Sequence, residues 1–536
     1  MFPPTQKAPR LLSVLALCFV FALKAAAQIV INEINYKPAD PTKNLEFIEL
    51  YNSGPSAVNV GLWRIEDAVD CIFPANATIP AGGYFVIAAN ATVFQTQYGF
   101  APGAIYTGSL NSSGERIRLR DSASVIVDEV NYGVGFPWPT SARGGGYSME
   151  LINASLDNDL GASWRSSTTL KGTPRVQNSV VAPNAPPAIR QVDHTPAQPA
   201  AEVVVTVTAR VTDPDGVAAV NLEYQIVAPG SYIRRTDGAF NVGWTSLAMH
   251  DDGLSGDAIV GDGIFSVQIP ASVQVHRRLI RYRITVADTL GATVRVPYAD
   301  DEQPNFAYFV YSGVPAWSGA VLPGGGAPRG TVQTYPTSLL NSMQTWHLLA
   351  ESTDVNNSQY VNTSNNVRFY GTLVYDGKVY DHIQYHNRGI GSTYVSGKNK
   401  WAFFFNRARD ILVRDNWGKH YAESWNSMPL DACASPWAAV HRGMAGVEEA
   451  YSYRLFELAG MSSLRTHYMQ FRVVSTLTEV GATQYDGDFW GLYMGLEPTE
   501  GNFLDERGLA DGNIYSIEGS TADKKHQGST QPLDTS

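Results

Sequence analysis

From Gln28 to about Thr168, apolar and polar residues alternate in short runs: "IVINEINY", "EFIELYN", "YFVIAA", "RIRLRD" and "VIVDEVNY". Each run is bounded by Gly, Pro, Asn or Ser. A period of two marks strands with one buried face, and short strands regularly divided by turn residues predict a β-sandwich over residues 28–170. The polar members Asn32, Glu33, Glu46 and Glu49 are expected at solvent-facing strand positions and turn caps. The period then lapses. Residues 171–188, "KGTPRVQNSVVAPNAPPA", are rich in Pro and Asn and read as an extended linker.

Alternation returns over 189–312 in "EVVVTVTARV", "VNLEYQIV", "FSVQIP" and "RLIRYRITVAD", with "DPDG" at 213–216 as a turn. This predicts a second sandwich, immunoglobulin-like or fibronectin-like. A Gly- and Pro-rich stretch, 313–330, reads as a second linker. From 331 to 536 aromatics are dense and a helical period appears: in "GVEEAYSYRLFELAG", Val447, Ala450, Tyr451, Leu455 and Leu458 recur at three and four, and Gly460 suits the C-terminal cap. Strand patterns flank that helix, so this last region is expected to be α+β.

At 536 residues the chain has room for about three or four domains. A net charge of −11 and a pI near 5.4 argue against nucleic acid as a partner, because neutralising phosphates takes a basic face. The amino terminus carries Lys7 and Arg10, an apolar run from Leu11 to Leu23, and "KAAAQ", whose Ala25 and Ala27 suit cleavage before Gln28. That run is shorter than the about 20 residues that span a bilayer. Residues 1–27 therefore predict an export signal, a secreted or cell-surface protein, and no stable membrane anchor. Cleavage leaves Cys71 and Cys433, in different expected domains, which excludes a disulfide framework.

Two clusters carry candidate chemistry. In "DDGLSGDAIVGDGIF", Asp251, Asp252, Asp257 and Asp262 stand among glycines, as calcium ligands on a tight loop do. No glutamate closes the loop as in the helix-flanked twelve-residue type, and consecutive turns produce the same composition. In the last region a Gly-containing turn (Arg388, Gly389), a lysine beside a strand (Lys398 or Lys400), a helix glutamate (Glu449) and a strand ending at Leu496 and Glu497 follow in an order that a phosphotransferase needs. They would supply respectively the phosphate-side turn, the cation, its carboxylate partner and the segment meeting the base. Taken singly, each is equally a solvated surface residue.

Two resemblances sharpen these expectations. Asn32-Glu33, "EFIEL", "IPAGGYFVIA", "LNSSGERIRLRD" and "VDEVNYG" make the first segment similar to the lamin-tail domain, an immunoglobulin-like fold, which implies an adhesion or positioning module. "YHNRGIGS", "GKNKWAFFFN", "ILVRDNWG", "EEAYSYRLFELAG", "LRTHYMQFRVV", "DFWGLYMGLEPTEGNFLDER" and "DGNIYSIEG" make about 375–518 resemble the spore coat protein H (CotH) kinase family, an atypical secreted kinase-like fold.

That second resemblance implies ATP and Mg²⁺ as cofactors, a protein Ser or Thr as phosphoacceptor, and a nucleotide contact set of Arg388, Gly389, Lys398, Lys400, Glu449, Leu496 and Glu497. It also implies that the catalytic aspartates lie beyond Ser536, so that no catalytic residue is expected in this chain and the kinase-like region is its amino-terminal part only. The alternative is a non-catalytic secreted or cell-surface protein whose regions are all binding modules.

Overall fold

The computed structural model describes residues 28–40, 43–322, 329–361, 367–388, 398–433, 446–483, 485–499 and 501–509. The expected export signal and Gly389 lie outside them. The described chain is mostly β.

The first alternating segment forms two sheets. One has six strands in the order Trp164–Ser166, Met149–Leu151, Ile29–Asn35, Phe47–Asn52, Tyr84–Ala88 and Ala104–Ile105. The other has four: Ile126–Tyr132, Glu115–Arg120, Arg64–Asp67 and Cys71–Ile72. Ile31, Ile48, Leu50 and Ile87 from one sheet share a core with Ile65, Ile117, Leu119 and Val130 from the other, as a sandwich requires.

The polar positions depart from the alternating pattern. Asn32, Glu33 and Glu49 are buried rather than solvent-facing. The outer face of the six-stranded sheet is covered twice. A helix, Ala91–Tyr98, sets Phe94 on Phe47. It is capped by Asn90, which accepts from the Val93 amide at 3.1 Å, and its chain reverses through Gly99 at φ 79°. The stretch from Gly172 onward covers the rest, so the expected linker is instead a strap, with the Thr173 amide on Glu33 and the Arg175 amide on Glu49. Its polar composition conceals this role because its bonds run to carboxylates of the sheet and need no apolar period.

The second alternating segment also forms two sheets. Strands Ala188–Thr195, Val205–Thr212 and Ile264–Ile269 face a five-stranded sheet built on Val217–Val227 and Leu279–Asp288. Val205, Val207, Leu222, Ile280 and Ile284 lie between them. The second expected linker also contains structure: Trp317–Leu322 pairs with Arg329–Tyr335 as a two-stranded hairpin, and the Trp317 ring meets Phe489 edge-on at 5.0 Å.

The last region closes into a seven-stranded barrel in the order Thr345–Leu349, Phe369–Tyr375, Lys378–Asn387, Trp401–Phe404, Ser427–Asp431, Phe489–Leu496 and Thr466–Val474. Pairs are antiparallel except the closing one, in which Thr345–Leu349 runs parallel to Thr466–Val474. Closure removes exposed sheet edges. Trp346, Tyr385, Trp401, Phe403, Met428, Phe471 and Tyr493 fill the interior.

The helix Val447–Leu458 lies outside the barrel, touching it through Ala450 and Tyr453. Val447, Tyr451, Leu455 and Leu458 of its apolar period are exposed among the described residues. Gly460, at φ 80°, follows the last helical turn as anticipated. Both Cys71 and Cys433 are free and buried. Among the described residues no helix is long and apolar enough to cross a membrane.

Candidate functional site

Lys398 and Lys400 stand two residues apart just before the strand Trp401–Phe404, and the charges of both reach Cys433. Asn399 between them is buried, and its carbonyl accepts from the Tyr493 hydroxyl at 3.0 Å. The Lys398 ammonium donates to the Leu492 carbonyl and lies 4.3 Å from the centre of the Tyr493 ring. Burial pushes its pKa down to about 8, against the pull of Cys433 and Asp431. Lys400 pairs with Asp431 at 2.5 Å. The carboxylate partner of the strand lysine is thus Asp431, at the end of Ser427–Asp431, whereas Glu449 accepts from its own helix neighbour Tyr453 at 3.1 Å.

Cys433 marks the centre of this group. Its amide donates to Asp431 at 2.9 Å. Its thiol is raised to about 12 by burial, with Lys398 and Lys400 opposing the rise and Asp431 and Glu449 adding to it. A Cβ at Gly446, which has φ 95°, would stand 2.6 Å from the Cys433 sulfur, so this close approach of the helix start requires glycine. Leu496 packs with Cys433 and Met494 beneath Ala450 and Tyr453. Arg388 donates its amide to the Lys400 carbonyl at 3.3 Å, and its charge reaches Tyr453.

Arg388, Lys398, Lys400, Glu449 and Leu496 therefore gather around Asp431 and Cys433. Glu497 does not join them. Side chains alternate along an extended chain, so the residue after Leu496 turns to the other side. There Glu497 accepts from Arg507 at 2.9 and 2.7 Å and from the Arg465 amide at 2.9 Å. The two glycines of the same strand are explained without a ligand. Gly491 has φ 99° at a register shift, and a Cβ at Gly495 would lie 3.1 Å from both the Met428 sulfur and the Met469 methyl inside the barrel. Asp431 and Cys433 escaped the sequence reading, although an acid closing the apolar run "SMPLD" repeats the pattern that singled out Glu497.

The aspartate loop is a separate site. Carboxylate oxygens of Asp251, Asp257 and Asp262 lie within 4.8 Å of one another, without Asp252. Asp251 accepts from the amides of Gly261, Asp262 and Gly263 at 2.6, 3.2 and 2.8 Å, and Asp257 accepts from Gly253 at 2.5 Å. These bonds fold consecutive turns, and the three carboxylates stand close to one another around them.

Among solved structures the chain is similar to a purple acid phosphatase from yellow lupin (Lupinus luteus) seeds at 10% identity and a TM-score of 0.18, covering 60% of this chain and 47% of that one. It is similar to a DUF4466 family protein from Parabacteroides merdae at 9% identity and a TM-score of 0.14, covering 59% of this chain and 99% of that one. No curated protein matches. The family model of the lamin tail domain matches residues 23–134, and strands Met149–Leu151 and Trp164–Ser166 extend the same sheet past the matched segment. The amino-terminal sandwich is a lamin tail domain, an immunoglobulin-like module.

Proposed function

We propose that the barrel region is the nucleotide-facing part of an exported CotH-type phosphotransferase, carried on two attachment sandwiches. The observation that carries this reading is the convergence of Arg388, Lys398, Lys400 and Glu449 on Asp431 and Cys433. A guanidinium and two ammonium groups suit the phosphates of ATP, for which Mg²⁺ would be the companion ion, with a Ser or Thr hydroxyl of a protein partner as acceptor. Calorimetric titration of the chain with Mg²⁺-ATP tests it. Binding that weakens at least tenfold in Lys398→Met or Lys400→Met supports the reading, and absence of binding at millimolar nucleotide overturns it.

Absence of binding would favour a second reading, a surface scaffold without turnover. One observation supports that reading: Lys400 is engaged by Asp431, Glu497 by Arg507, and the space at Gly495 by two methionines. We further propose that Asp251, Asp257 and Asp262 take calcium, which would stiffen the second sandwich.

A further inference from the structure

Three carboxylates stand abreast in the lamin tail sheet. Glu33 lies opposite Glu150 on one neighbouring strand and Glu49 on the other. All three are fully buried. The strap crosses directly over them. The Thr173 amide donates to Glu33 at 2.9 Å, the Thr173 hydroxyl to Glu150 at 2.6 Å, and the Arg175 amide to Glu49. Farther along, the Ser179 hydroxyl and the Val180 amide donate to Glu150 at 2.7 and 3.2 Å. The fit is close: a Cβ at Gly172 would stand 2.0 Å from Oε1 of Glu33, and φ there is 81°.

We propose that Glu33 and Glu49, packed beside Glu150, form a proton-controlled latch that clamps residues 172–180 onto the first sandwich while protons are held and lets them lift as the protons leave. The connection to the second sandwich is then a fixed strap in one state and a free tether in the other.

Three neighbouring buried carboxylates cannot all ionise without a counter-charge. Of their six oxygens, Oε2 of Glu33 is the one with no hydrogen-bond donor against it, which makes it the place for a held proton. Among the described residues no cation pairs with the three carboxylates: Arg165, opposite Glu150 on the next strand, donates instead to the Ala162 and Trp164 carbonyls and to the Tyr298 hydroxyl. The Arg175 guanidinium lies 5.2 Å from the centre of the Phe100 ring, Lys171 is exposed, and the Tyr98 hydroxyl donates to the Lys171 carbonyl at 2.8 Å. The phenols of Tyr84 and Tyr98 face the cluster and are themselves pushed upward, first by burial and then by these glutamates.

The direction with pH follows from the carboxyl groups. Burial first, and the neighbouring glutamates in addition, raise Glu33 well above its ordinary 4.5. Burial also raises Glu49 to about 8. Once the strap lifts and water enters, these groups ionise from 4.5 upward. The latch is therefore tightest below pH 4.5 and loosens as pH climbs to at least about 8, by about tenfold in the opening equilibrium per pH unit for each proton held.

Hydrogen exchange of the full chain, read by mass spectrometry on peptides covering 172–180 at pH 5, 6, 7 and 8 and corrected for intrinsic rates, tests this. The strand Thr466–Val474 serves as internal control. Protection of the strap should fall by at least tenfold from pH 5 to 8 while the control stays level. Glu33→Gln, which mimics the protonated form, should make the profile shallower, leaving the part that Glu49 carries. A wild-type profile that is level, or that falls no more than the control, overturns the latch even if the variant does not fold. So does an unchanged slope in a folded Glu33→Gln protein.

Discussion

Arg281 of the second sandwich and Asp381 of the barrel meet in a two-point ion pair, at 2.7 and 3.0 Å, with no solvent exposure on either side chain. Thr372 and Asn305 also donate to the Asp381 carboxylate, at 2.6 and 2.9 Å. Although burial alone would raise this acid, Arg281 foremost and then His382 and Thr372 hold it well below the usual carboxylate range. A buried charge that loses its partner is left without solvation, which costs about 3 to 5 kcal/mol. Arg281→Met and Asp381→Asn should each lower stability by that order, and the double variant should recover much of it. Urea denaturation of the three variants checks the coupling.

The same pair sets how the junction answers acid. An acid whose folded pKa is depressed stabilises the fold in full above its unfolded value, 3.8, and loses that contribution progressively as pH falls from there to the lower folded value. The junction should keep its full strength down to about pH 4 and weaken steadily as pH falls below 3.8. Small-angle scattering across that range would show early separation if this were wrong.

Lys398 should titrate near pH 8 instead of near 10.5. Burial disfavours its charged form, so folding releases a proton between those values and stability rises with pH from about 8 to 10.5. Carbon-13 NMR of lysine side chains should show one resonance with a midpoint near 8 that disappears in Lys398→Met. A lysine spectrum with every midpoint above 10 would exclude the shift.

Calcium should raise the melting temperature of chelator-treated protein. A ligand at about 100 times its dissociation constant adds about 2.7 kcal/mol when it binds only the folded state. Asp262→Asn should abolish the rise. Asp251→Asn should in addition lower the calcium-free melting point, because the Asp251 carboxylate holds the amides of Gly261, Asp262 and Gly263. An unchanged melting point of the wild type in millimolar calcium would leave the loop as turns alone.

Periodicity identified most strands because one face of each sheet is apolar, and it failed where both faces are covered. Ile29–Asn35 is buried throughout, yet Asn32 and Glu33 read as exposed because their covering is a strap without any period of its own. The helix Val447–Leu458 departs in the opposite sense, since its contact runs through Ala450 and Tyr453 while Val447, Tyr451, Leu455 and Leu458 of the same apolar period are exposed. In the barrel, residue order brought five of the expected residues into one neighbourhood. It misplaced Glu497 because a shift of one position along an extended chain reverses the side, which order alone does not record.

Gly491 and Gly495 should respond differently to alanine, since one is fixed by backbone conformation and the other by space. At Gly491, φ is 99°, and the nearest atom to a new Cβ is the Lys398 ammonium at 3.5 Å, an ordinary contact. The penalty there is backbone strain, about 1 to 2 kcal/mol, and it is insensitive to the neighbours. At Gly495 a new Cβ would press at 3.1 Å on the Met428 sulfur and the Met469 methyl, so the cost is overpacking of about 1 to 3 kcal/mol. Trimming a methionine makes room for that methyl group. Gly495→Ala should therefore cost less in a Met469→Val background, whereas Gly491→Ala should cost the same there. Thermal unfolding of the wild type, Met469→Val and the four alanine variants separates the two causes, and equal rescue at both positions would refute the distinction.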